Sequence, residues 1–101
     1  MLVEITARDL VPQLIDNYFR GLKGLCVSGL PSRDLEPFLL AGDTLMHTMV
    51  EAILTVEEKD QIRMFEQVQQ RFMFILRDHD RPWIWELLGR FSEHLPEQML
   101  H

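Results

Sequence analysis

A chain of 101 residues with 47% apolar content and a net charge of −6 is sized for one domain with its own hydrophobic core and leaves no room for a second. Its sixteen acidic residues outnumber ten basic ones that are scattered from Arg8 to Arg90, so no phosphate-neutralising surface and no nucleic-acid binding are expected. Cys26 is the single cysteine, which excludes an intramolecular disulfide and a thiolate metal cluster and points to a reducing, cytoplasmic setting.

Two-residue alternation of apolar and polar positions is confined to Met1-Leu2-Val3-Glu4-Ile5, which gives room for a short extended N-terminal arm. The same residues lack the basic region, long apolar run and cleavage site of a secretory signal. Apolar runs elsewhere, such as Phe72 to Leu76, fall far short of the ~18–20 residues that cross a bilayer, so no membrane partner is expected.

From there on, apolar residues recur at three- and four-residue spacing, and the expected fold is all-α. The first helix is predicted over about residues 7–25. Thr6 or Asp9 is its cap, and a start at Asp9 leaves Pro12 in the first turn, where a missing N–H costs nothing. Leu10, Leu14, Ile15, Tyr18, Phe19 and Leu25 occupy its apolar half. Gly24, Gly29 and Pro31 mark the stop and a loop.

The second helix is predicted over about residues 34–54, beginning at Asp34. Leu35, Phe38, Leu45, Met46, Met49, Val50 and Ile53 share one face with Gly42 in its middle. A helix-interior glycine costs about 1 kcal/mol relative to alanine, and the unbroken phase of the wheel favours one helix closely packed at that glycine. Thr55-Val56-Glu57-Glu58 reads as a capping box that opens the third helix, over about residues 56–77. In that helix Met64, Phe65, Val68, Phe72, Met73, Ile75 and Leu76 span a broad apolar arc.

Asp78-His79-Asp80-Arg81-Pro82 predicts a tight turn whose aspartates cap a fourth helix, over about residues 82–95. Residues 96–101 form a frayed or docking tail. Short links between long amphipathic helices imply antiparallel neighbours, hence a four-helix bundle or an irregular antiparallel helical domain built as a single unit over residues 1–101.

No nucleophile motif, phosphate-cradling loop or cofactor signature is present, so catalysis and cofactors are not expected. Asp43, His47 and Glu51 are spaced four residues apart and could offer two carboxylates and an imidazole to one metal ion. They lie, however, on the polar side of the second helix, where a solvated stripe is the favoured explanation. The stronger signal is apolar residues outside the core faces. Phe74 shares its part of the wheel with Arg63, Gln67 and Gln70, Trp85 lies beyond the apolar edge of the fourth helix, and Leu40 stands among polar neighbours. Large aromatics outside a core are enriched at binding hot spots. The expectation is therefore a non-catalytic protein–protein interaction module (an adaptor, small chaperone or inhibitor) that pairs with its own copy, as a homo-oligomer, or with a protein partner, a basic one being favoured by charge. A metal-binding helical domain and an acidic regulator of a nucleic-acid-binding protein are the alternatives.

Overall fold

The structure is a computed structural model that describes residues 7–99. Its helices are α1 (Ala7–Val27), α2 (Ser32–Ile53), α3 (Glu58–Asp78) and α4 (Pro82–Ser92), followed by a 3₁₀ turn over Glu97–Met99. No strand occurs among the described residues. The extended arm expected at residues 1–5 lies outside them.

The elements match the periodicity, whereas their ends depart from the expected capping. α1 begins at Ala7, the predicted start, and the cap expected at Thr6 lies outside the described residues; with this start Pro12 falls beyond the first turn and leaves one early carbonyl without its helical donor. α2 begins two residues before Asp34, after Pro31, with no side-chain cap. It runs unbroken through Gly42. The capping box does not form: Thr55 Oγ1 donates to Ala52 O at 2.6 Å, closing the end of α2, and α3 starts after Glu57 with no side-chain cap. A threonine hydroxyl can satisfy either a free carbonyl behind it or a free amide ahead, and here the carbonyl wins. Gln61 completes the turn, its Nε2 donating to Val56 O at 2.9 Å and Leu54 O at 3.2 Å. Pro82 opens α4 as expected, but its cap is Arg81 without a side-chain bond. Asp80 instead accepts a hydrogen bond from Trp85 Nε1 at 2.7 Å. α4 ends at Ser92, three residues early. The tail folds back, for Met99 packs against the core.

The α1/α2 hairpin stacks on the α3/α4 hairpin, and the molecule measures 46 × 41 × 21 Å. The shortest dimension is two helix diameters, so the bundle is a plate of two layers. Between the layers runs one continuous core. Val11, Ile15, Phe19 and Leu22 of α1 meet Met46, Met49, Val50 and Ile53 of α2, Phe65, Val68 and Phe72 of α3, and Ile84, Leu87 and Phe91 of α4. Phe72, fully buried, is the hub: its ring lies 4.9 Å from Phe19, 6.2 Å from Tyr18 and 5.8 Å from Phe91. Two ion pairs join the layers at their edges, Arg71 to Asp16 at 2.6 Å and Arg90 to Asp43 at 3.2 Å. Partly exposed pairs of this kind contribute about 1 kcal/mol at most, and their use is to fix the register of the edges.

Candidate interaction surface

The wheels of α1 and α2 are wider than the core they face. Taking Ile15 and Met46 as the centres of the buried stripes, Leu14, Leu25, Phe38 and Leu45 all stand roughly 80–100° round on the same flank, at about 100° per residue. In antiparallel neighbours those flanks face each other. The result is an open groove of about 290 Å³ between the two helices, floored by Tyr18, Leu22 and Met49 and rimmed by Leu14, Phe38 and Leu45. Phe38 is 49% exposed and Leu45 57%. Both were expected in the core, and the structure corrects that placement. A two-layer plate buries one stripe of each helix between its layers, and the outer side of the seam between α1 and α2 is covered only if a further helix lies over it.

Gly21 and Gly42 line the same groove. The close packing expected at Gly42 is also absent, for a Cβ built at either glycine meets no atom within 4 Å. The glycines therefore keep the groove deep without any steric need inside the monomer. Gly42→Ala should raise the stability of the dilute protein by about 0.5–1 kcal/mol through helix propensity alone. Thermal unfolding checks this, with a rise of about 2–8 °C expected for a domain of this size. A fall in the midpoint would mean that the position is tightly packed.

None of the twelve residues lining the groove is charged. Asn17 and Thr48 are its exposed polar residues, and at its floor the Tyr18 hydroxyl is buried with no hydrogen-bond partner. Burial, reinforced by the Asp43 carboxylate, pushes the Tyr18 phenol well above its ordinary range. Asp43 Oδ1 is likewise buried and unpartnered. Cys26, near the end of α1, is buried too, and burial raises its thiol pKa against the opposing pull of Arg81. The raised pKa disfavours the thiolate.

The residues singled out from the sequence are placed apart. Phe74 is 54% exposed on α3, beside an equally exposed Met73 that was expected in the core. Arg77 covers its ring at 5.1 Å. Gln67 and Gln70 join Phe74 in a shallow hollow against Pro12 and Ile15 of α1, while Arg63 is exposed outside it. Leu40, 64% exposed, borders a different hollow with Trp83 and Arg90. Trp85 is half exposed and tied to Asp80. The hollows that Phe74 borders include neither Leu40 nor Trp85. These residues therefore do not line one hollow, since Phe74 borders α1 and Leu40 borders α4.

Asp43 Oδ2 is held by Arg90 at 3.2 Å and lies 3.8 Å from His47 Nε2, and His47 packs edge-on to His94 at 4.8 Å. Among the described residues, Asp43, His47 and Glu51 included, no three His, Cys, Asp or Glu side chains converge as an ion-holding group. A guanidinium on the carboxylate occupies the place a cation would take. No helix among the described residues is long and apolar enough to cross a membrane. No protein family, curated protein or solved structure matches the chain.

Proposed function

We propose that the chain is a non-catalytic protein–protein interaction module, working in the cytoplasm as an adaptor, small chaperone or inhibitor, that docks a polypeptide on the apolar faces its own core leaves uncovered. The observation that carries this reading is the uncharged groove between α1 and α2, with Phe38 and Leu45 about half exposed on its rim. An apolar trough between antiparallel helices suits an amphipathic helix laid along it, whose large side chains replace the water over the glycines. The Met73–Phe74 patch on α3 supports a second, smaller contact in which Gln67 and Gln70 supply polar rim groups. Trp85 and Leu40 extend the reading to the α4 side. An exposed tryptophan already held by Asp80 loses little side-chain freedom on binding.

Tagged full-length chain, expressed in its native cell beside an untagged copy, tests the reading. Leu45→Glu, or Phe74→Ser combined with Trp85→Ser, should strip at least one bound polypeptide that Lys59→Ala on the polar face retains. If both apolar-face variants keep every polypeptide held by the wild type, the reading fails.

A further inference from the structure

We infer that the occupant of the α1/α2 face is a second copy of this chain, presenting the same face; this rests on reading the groove as a docking surface. Charge is the first argument. Each copy carries −6, so two copies repel wherever acidic side chains meet. Within the groove they do not meet: its lining is uncharged, Asp16 turns to Arg71 at the α3 edge and Asp43 to Arg90 at the α4 edge, and the exposed Asp34 and Glu51 of α2 stand outside the lining. A partner chosen by charge has nothing to read in the groove, whereas a like-charged copy finds an approach without repulsion.

The second argument is self-complementarity, which a two-fold interface requires. Along the groove side of α1, Gly21 stands between Leu14 and Leu25 in sequence; along that of α2, the buried Gly42 stands between Phe38 and Leu45. Two antiparallel helices thus carry the same succession of large residue, glycine and large residue, and each face offers both projections and a hollow to receive them. Area is the third. At 1.5 Å per residue the helices run about 30 Å, and with axes 8–10 Å apart they span about 20 Å, a face of ~600 Å² before side-chain relief. That approaches the ~800 Å² that each partner contributes to a standard stable interface.

Size-exclusion chromatography with light scattering on the full chain tests this. The wild type should have about twice the 12.0 kDa chain mass, and Leu45→Glu and Phe38→Glu should each return it to the single-chain mass with helical circular dichroism unchanged. Both positions are about half exposed, so the charge is tolerated in the monomer. Phe74→Ser with Trp85→Ser should stay dimeric. In the wild type, added salt should raise the dimer fraction by screening the repulsion between copies. A wild type that stays at single-chain mass at every concentration, a dimer that survives both glutamates, or one that salt dissociates overturns the inference. A monomeric wild type whose Leu45→Glu variant still loses a captured host protein overturns self-pairing alone and leaves the docking reading standing.

Discussion

Phe72→Ala is expected to destabilise the protein by about 3–5 kcal/mol, the usual range for truncating a fully buried phenylalanine. The ring touches aromatic partners on α1 and α4 as well as lying in α3. A cavity there cannot be closed by moving one helix, which places the cost toward the upper end. Against a total stability of about 5–15 kcal/mol for a domain of this kind, the loss is large enough to leave part of the population unfolded at 37 °C. Urea denaturation followed by circular dichroism checks it: the midpoint should fall while the slope stays that of the wild type. A loss below about 1 kcal/mol would mean that the aromatic seam is not what joins the two layers.

Tyr18→Phe should do the opposite. The buried hydroxyl has no partner, and leaving such a group unsatisfied costs about 1–3 kcal/mol, so its removal should stabilise the protein near neutral pH. The larger signature is at high pH. The fold holds the phenol protonated beyond its ordinary value of 10.0, because burial and then the Asp43 charge disfavour the phenolate. A proton held more tightly by the folded than by the unfolded chain gives stability that is intact below pH 10 and is lost as the pH rises above it. Each further pH unit should reduce the folding equilibrium roughly tenfold until the folded-state phenol also ionises. Phenylalanine abolishes that slope. Cys26, also raised by burial from 9.0, adds loss of the same sign in both proteins and cancels in the comparison. Since Tyr18 is the sole tyrosine of the sequence, tyrosinate absorbance reports its ionisation directly alongside urea unfolding. A Phe variant that is weaker at neutral pH would show that the hydroxyl bonds Asp43 in solution.

The four helices were legible because the residues that fill the core, such as Ile15, Phe19, Met46, Val50, Val68 and Phe91, recur at helical spacing over runs too long for a strand. Their ends were less so. Thr55 has the spacing of a cap, but the same hydroxyl also reaches the carbonyl of Ala52, and only the positions of two helices decide between them. The groove escaped for a related reason. Leu14, Phe38 and Leu45 are as apolar as their buried neighbours, and a wheel does not reveal how many helices will cover it. A signal was present all the same: an arc wider than one neighbour spans, with Gly21 and Gly42 on its flank where helix propensity disfavours glycine. Phe74, Trp85 and Leu40 were readable as exposed one helix at a time, but their separation was not, since it depends on how the layers stack.

The links between the four helices are four, four and three residues long, and this bears on how the molecule comes into being. Each helix finds its first neighbour after closing a very small loop, so little chain entropy is lost before contacts form, and topologies of this sort reach the native state in microseconds to milliseconds. The greasy stripes of a nascent copy are therefore sheltered almost as soon as they emerge. What stays open to the surroundings afterwards is the flank of the first hairpin, a surface retained by the finished molecule and not a residue of slow assembly.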